Sequence, residues 1–153
     1  MLPDTTTRVS RNTADYVNER IERRTLESVA GCAAGGPGKI EQRLEELDRE
    51  WDIERTLEAN AATIALTGVA LGTFVNRRYF ALPAVVAGFL LQHALQGWCP
   101  PVPLFRRLGV RTQAEIERER YALKALRGDF AGTSDAASGS RSDVRQVMEA
   151  VDR

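Results

Sequence analysis

The stretch ANAATIALTGVALGTFVN, residues 59–76, is followed by two arginines and then by YFALPAVVAGFLLQHALQGW, residues 79–98. Neither stretch contains Asp, Glu, Lys or Arg, although charged residues make up 27% of the chain. As a helix, the first stretch would be about 27 Å long, close to the roughly 30 Å of a bilayer's hydrocarbon core. We therefore predict an all-α protein organised around a two-helix transmembrane hairpin, with amphipathic cytoplasmic helices on both sides and a turn at Arg77 and Arg78.

A soluble helical bundle is the alternative interpretation of these two runs. Helices at the surface of a soluble core usually keep a polar stripe, and the first run offers only three threonines and two asparagines. Aromatic residues also favour the membrane, because Tyr79 and Trp98 bracket the second run as interfacial anchors do. We consider the membrane hairpin the better interpretation.

Small residues predict where helices approach each other closely. Gly68 and Gly72 form a GxxxG pattern, and Ala84 and Gly88 repeat that spacing in the second run. In lipid, such residues allow backbones to pack tightly. The two faces predict a helix–helix seam, either within the hairpin or between two copies of the chain.

The flanking segments divide at changes in composition. Ile40, Leu44, Leu47 and Trp51 form one apolar stripe on a predicted helix. Thr112 and Glu115 have the spacing of a capping box. The predicted divisions are a disordered N-terminus (1–12), a helical arm (13–51, split at 31–38), the transmembrane hairpin domain (52–110), a cytoplasmic helix (111–130), a flexible linker (131–142) and a short amphipathic helix (143–153).

The distribution of basic residues predicts the orientation of the hairpin. Seven lysines and arginines flank it and two lie in its turn, which places both termini in the cytoplasm. The seven are Lys39, Arg43, Arg49, Arg55, Arg106, Arg107 and Arg111. Five residues are expected at the membrane interface, with the two arginines facing anionic lipid: Trp51, Tyr79, Trp98, Arg106 and Arg107.

Composition excludes several classes of function. Basic and acidic residues balance at 21 each, which argues against nucleic acid as a partner. The Gly38-Lys39 pair is not a phosphate-binding loop, because Ala33 replaces the first glycine and Ile40 follows the lysine. With one histidine and no catalytic constellation, we expect neither an enzyme nor a cofactor. We expect Cys32, in the glycine-rich break, to be at least partly exposed.

The end of the second run carries the only candidate chemistry. Gln96 and Cys99 lie on one side of the predicted helix and His93 lies one step round. An ionisable residue inside a span is a candidate for function. These residues could take part in a thiol relay, in which Cys99 accepts a persulfide, or they could bind a soft metal ion. Structural packing is the alternative that we favour, and we predict no complete metal site.

The same region resembles a known family. Gly97-Trp98-Cys99-Pro100 is followed by Pro-Leu-Phe-Arg-Arg-Leu-Gly, residues 103–109. A short hairpin with this exit resembles the YgaP-like inner-membrane transmembrane domain, a bacterial family of largely unknown function, over roughly residues 52–110. The resemblance implies a dimeric hairpin in the bacterial inner membrane with cytoplasmic termini. Some members carry a sulfur-handling rhodanese domain, but no cysteine here is followed five residues on by Arg or Lys.

Two functions remain open from the sequence. The first is a non-enzymatic membrane anchor that forms homodimers through the hairpin and recruits a cytoplasmic protein through its helical arms. The second is a component that handles thiols, sulfane sulfur or a soft metal through Cys99, supported by His93 and Gln96.

Overall fold

The structure, a computed structural model, describes residues 6–131 and, beyond them, residues 145, 147, 148 and 151. Their regular structure is entirely helical, with no strand in this part of the chain, so the all-α prediction is confirmed. Within residues 6–131 the elements are α1 (Arg8–Arg11), α2 (Asp15–Gly35), α3 (Pro37–Arg49), α4 (Ile53–Phe74), a 3-10 turn (Arg77–Phe80), α5 (Ala81–Gln96), α6 (Val102–Leu108) and α7 (Gln113–Arg127).

The chain divides into two compact units. Unit 1 comprises Met1–Arg23 and Trp51–Glu115, and unit 2 comprises Arg24–Glu50 and Ile116–Arg153. In unit 2, the apolar stripe of α3 packs into a core with residues from α2 and α7. The buried members of this core are Cys32, Ile40, Leu44, Leu47, Ile116 and Leu123. Three members of the predicted stripe therefore pack on α2 and α7, while the fourth, Trp51, lies beyond the end of α3 and is 49% exposed. Cys32 is buried instead of exposed.

In the part of the chain that the structure describes, two helical stretches are long and apolar enough to cross a membrane: Pro37–Phe74, which ends with α4, and Arg77–Gln96, which comprises the 3-10 turn and α5. Only 17% and 6% of the residues in their apolar windows are buried. Large side chains on both helices are open to the surroundings, including Leu66 (71% exposed) and Phe74 (86%) on α4 and Leu91 (62%) on α5. A helix from the core of a soluble protein would bury most of this surface, so the exposure indicates membrane association.

Helices α4 and α5 contact each other through the glycines of the GxxxG pattern. A Cβ atom built on Gly68 would lie 2.7 Å from Cδ of Pro83, and one built on Gly72 would lie 2.9 Å from the ring of Phe80. Around Gly88, by contrast, no atom of the described part of the chain lies within 4 Å of such an atom. The small residues at 68 and 72 therefore pack against the following helical segment of the same chain, while Ala84 and Gly88 face outward.

Two predicted boundaries differ from the structure. Within the predicted disordered segment 1–12, residues 8–11 form α1, which is held in place because Val9 is buried with 3% exposure; residues 1–5 lie outside the described residues. The predicted break at 31–38 shrinks to Gly36, whose φ of 80° lies in the left-handed region that favours glycine. Helix α2 continues to Gly35 because the core of unit 2 covers Cys32.

Side chains close in sequence cap two of the helices, one of them through the predicted capping box. The Asp52 carboxylate accepts a hydrogen bond from the Arg55 N–H at 2.7 Å and caps α4. The capping box before α7 is complete, with the Thr112 N–H donating to Glu115 at 2.8 Å. The predicted linker 131–142 lies outside the described residues except for Ala131, and of the C-terminal helix 143–153 the four described residues are helical.

Candidate functional site

A group of charged residues joins the start of α4 to the end of α5. His93 lies 5 residues before the predicted end of its span, and its Nε2 is 2.7 Å from Oε2 of Glu54. The second carboxylate oxygen of Glu54 accepts a hydrogen bond of 2.9 Å from Nη2 of Arg8. The His93 side chain is buried, with 4% of the residue exposed. We call Arg8, Glu54 and His93 the ion cluster.

The ion cluster is arranged for pairing rather than for proton transfer. Glu54 lies outside the apolar runs, and hydrogen bonds from His93 first and Arg8 second lower its pKa to about 2 despite partial burial. Because an ionised carboxylate only accepts, Nε2 of His93 carries the proton in this contact. A carboxyl group with such a low pKa is a weak base at neutral pH, so Glu54 is better suited to pairing with Arg8 and His93 than to accepting a proton.

Helix α1 completes this end of α5. Nδ2 of Asn12 donates to the backbone carbonyl of Gln96 at 2.9 Å, and Nη1 of Arg8 lies 3.4 Å from the carbonyl of Ala94. These carbonyls belong to the last turn of a helix, which has no internal donors for them. Gly97 makes the contact possible, because a Cβ there would lie 2.7 Å from the backbone of Arg8 and its φ is 73°. Helix α1 therefore caps α5.

The structure does not bring the predicted thiol site together. Cys99 is 4% exposed and packs among the apolar side chains of Val9, Ile53, Leu57 and Val102. Burial raises the pKa of its thiol. His93 is directed to Glu54 instead, and the part of Gln96 that is engaged is its backbone carbonyl. Among the described residues, no group of three or more His, Cys, Asp or Glu side chains could hold a metal ion.

The burial of Cys99 predicts that its thiol reacts slowly with alkylating reagents. In a Cys32→Ala background, we expect Cys99 to react with a maleimide at neutral pH at least about tenfold more slowly than a cysteine introduced at Tyr16, which is 55% exposed in the same unit. The rates are measured by quenching and mass spectrometry in mild detergent. Equal rates, or a faster reaction at Cys99, would show that the thiol is activated and would favour the sulfur-handling function.

Arg106 forms a second polar centre in unit 1. Its side chain is completely buried, and Nη1 and Nη2 donate to the two carboxylate oxygens of Glu115 at 2.7 Å each. The guanidinium also donates to Oγ1 of Thr13 at 3.2 Å and to Oδ1 of Asn18 at 3.0 Å, and its Nη1 bonds the backbone carbonyl of Val110. We call these contacts the Arg106 clamp.

The Arg106 clamp corrects one prediction for the membrane interface. Arg106 cannot face lipid headgroups, because it is completely buried and its guanidinium binds Asn18 of α2 and Glu115. Arg107 is exposed, as are Tyr79 (40%) and Trp98 (37%). Trp51 is 49% exposed and carries the guanidinium of Arg55 4.4 Å above its ring. These four residues remain available to a membrane interface.

The sequence analysis missed Arg8, Glu54 and Glu115 as partners of functional side chains. A signal for Glu54 was present, since a histidine near the end of one span requires a partner at the same depth, and Glu54 precedes the other span by 5 residues. Arg8 gave no such signal, because it lies in a short polar segment without apolar periodicity. Comparison with protein-family models, with curated proteins and with solved structures finds no match to this chain.

Proposed function

We propose that this chain is a non-enzymatic membrane protein whose helices α4 and α5 cross the bilayer as a hairpin. The observation that carries the proposal is the combination of outward apolar side chains with an inward glycine seam: Leu66, Phe74 and Leu91 are exposed, while Gly68 and Gly72 are covered. Apolar side chains on the outside and glycines between the helices are expected for a protein surrounded by lipid. In a membrane the hydrophobic effect does not drive helices together, so close packing through small residues holds them.

The charged groups at the ends of α4 and α5 support a fixed depth of the two helices in the bilayer. The ion cluster lies where α4 enters and α5 leaves the apolar segment, and the Glu54 carboxylate pairs with both Arg8 and His93 there, while Nε of Arg8 and Nδ1 of His93 are buried without a hydrogen-bond partner among the described residues. Buried charges are tolerated at a membrane edge when they are paired. The cluster also ties α1 to both helices, which makes the ends of the hairpin rigid.

The proposed location is the bacterial inner membrane with both termini in the cytoplasm. The excess of basic residues beside the spans supports the orientation, and the resemblance to the YgaP-like family supports the compartment. Unit 2, with its own three-helix core, would then be the cytoplasmic module that recruits a protein partner. Leu26 (60% exposed) and Leu126 (53% exposed) are apolar side chains on that module that a partner could cover.

Labelling of introduced cysteines tests the hairpin and its orientation. Both native cysteines are buried, so they are replaced by alanine, and single cysteines are placed at Glu45 and Val75, whose side chains are open to the surroundings. With a membrane-impermeant maleimide we expect labelling at position 75 in intact cells and at position 45 only in opened cells. Labelling at 45 in intact cells would overturn the orientation. Release of the protein by alkaline carbonate would overturn the anchor itself.

The proposed homodimer uses the face of α5 that carries Ala84 and Gly88. The GxxxG of α4 is occupied within the chain, so the other predicted pair at this spacing, Ala84 and Gly88 on α5, is the one that faces outward. Gly88→Ile should weaken self-association in detergent, measured by cross-linking and by light scattering, without lowering the melting temperature. Ala70→Ile, an equal enlargement at an exposed position of α4, is the control. Unchanged self-association of Gly88→Ile would remove this face from the proposal.

A further inference from the structure

Helix α6 has two faces of different chemistry. Val102 and Arg106 are 0% exposed and Phe105 is partly buried, so this face points into unit 1. The opposite face carries Leu104 (58% exposed), Arg107 and Leu108 (69% exposed). Two leucines one turn apart with an arginine between them form an apolar ridge with one cation and no acidic residue.

The Arg106 clamp fixes which face of α6 points outward. Its five hydrogen bonds reach Thr13, Asn18, Val110 and Glu115, so the helix cannot rotate about its axis without breaking the bidentate contact to Glu115. The apolar ridge is therefore held outward by a buried polar contact. In water, this arrangement would leave two leucines permanently exposed.

The depth of α6 follows from its packing partners. Val102 shares an apolar cluster with Ile53 and Leu57 at the start of α4. Leu57 precedes the apolar run at residue 59 by about 3 Å of helix, at roughly 1.5 Å per residue. Only three residues lie between Trp98 and Val102, so the end of α5 constrains α6 to the same level. This level is the headgroup region of a bilayer that α4 and α5 span.

We infer that α6 is an in-plane interfacial helix whose Leu104 and Leu108 insert below the headgroups while Arg107 binds the phosphate of an anionic lipid. The inference rests on the proposed membrane function and adds the element that sets the depth of the hairpin. The bilayer interface suits this face because it offers apolar chains and negative charge within a few ångströms of each other. Arg20 contributes a second cation here, since its Nη2 donates to the carbonyl of Arg107 at 2.6 Å.

Nitroxide accessibility in the reconstituted full chain tests the depth of α6. With both native cysteines replaced by alanine, labels are placed singly at Leu108, at Leu91 in α5 and at Glu45 in α3, all exposed positions. We expect labels at 108 and 91 to collide mainly with oxygen and the label at 45 mainly with a water-soluble nickel chelate. A label at 108 that behaves like the one at 45, while 91 stays protected, would overturn the inference and leave the proposed function intact. Nickel access at 91 would overturn the proposed function.

The lipid contact of Arg107 is tested in the same system. Vesicles of phosphatidylcholine are compared with vesicles that also contain phosphatidylglycerol. We expect the label at 108 to lie deeper in the anionic vesicles, and we expect Arg107→Gln to abolish that difference. Arg49→Gln is the control, because Arg49 is 80% exposed on α3 and outside unit 1. Equal depth in both vesicles, or an unchanged difference in Arg107→Gln, would overturn the role of Arg107.

Discussion

Isoleucine at position 68 should force α4 and α5 apart and unfold this part of unit 1. Even the first added atom, the Cβ, would lie 2.7 Å from Cδ of Pro83 and 2.8 Å from Cβ of Leu82, and 3.3 Å from the backbone oxygen of Tyr79. Two of these neighbours are atoms close to the main chain, which cannot move aside as the tip of a long side chain can. Overpacking in a core usually costs about 1–3 kcal/mol, and here we expect at least the upper end of that range.

Thermal unfolding in detergent measures the effect of Gly68→Ile, followed by the loss of helical signal and by protease sensitivity. Gly88→Ile is the matched control, because it adds the same side chain to a position with nothing within 4 Å. We expect Gly68→Ile to lower the melting temperature strongly and Gly88→Ile to leave it nearly unchanged. The reverse ranking would mean that the second helix is packed against position 88 rather than 68, and the seam described above would be wrong.

The two pairs of small residues show what a local pattern can predict. The spacing of Gly68 and Gly72 correctly indicates a close approach of helices, because only small side chains permit it. At the same spacing, Ala84 is exposed, and nothing among the described residues lies within 4 Å of a Cβ built on Gly88. Nothing in either pattern distinguishes the two cases, since the difference depends on which face of α5 turns toward α4. That rotation is set by tertiary packing of Leu82 and Pro83 and not by spacing.

Helix ends could be predicted because their chemistry is local. Asp52 caps α4, and Thr112 and Glu115 form the box before α7, each through atoms within three residues along the chain. Gly128 ends α7 with a φ of 91°, as its position after the last basic turn indicates. In each case the donor and the acceptor belong to the same short segment, so the sequence contains the whole interaction.

The ion cluster could not be predicted in the same way. Arg8 and Glu54 are 46 positions apart, and Glu54 and His93 are 39 apart. Each residue has an ordinary local interpretation: an arginine in a polar N-terminal segment, an acidic residue in the first turn of a helix and a histidine near a helix end. Only the packing of α1 against the ends of α4 and α5 makes them one group.

Glutamine at position 115 should be the most destabilising conservative change in this chain, because it leaves the buried guanidinium of Arg106 without a counter-charge. Arg106 is 0% exposed and its two terminal nitrogens each donate to Glu115 at 2.7 Å. Breaking a buried ion pair from one side typically costs about 3–5 kcal/mol, since the remaining charge stays desolvated. The glutamine side chain still has an oxygen that can accept the hydrogen bond of the capping box. The loss of stability therefore measures the missing charge and not a missing helix cap.

The pH dependence of Glu115→Gln separates the ion pair from simple packing. Burial alone would raise the pKa of Glu115, but hydrogen bonds from Arg106 and from the Thr112 N–H outweigh it, and the net pKa lies below its ordinary value of 4.5. A lowered folded-state pKa means that the pair stabilises the protein above pH 4.5 and that this contribution is lost as the pH falls through the folded pKa. The difference in melting temperature between the native protein and Glu115→Gln should therefore be full at pH 7 and shrink in acid.

Two variants decide whether the charge of Arg106 is responsible. Glu45→Gln removes a carboxylate that is 62% exposed and 3.7 Å from Arg49, so it should change the unfolding free energy by less than about 1 kcal/mol. Combining Arg106→Met with Glu115→Gln removes the uncompensated charge, and the double variant should be more stable than Glu115→Gln alone. A double variant that is less stable than the single one would mean that Arg106 stabilises α6 mainly through Thr13 and Asn18, and the ridge of Leu104 and Leu108 would then be held outward by those contacts instead of by the ion pair.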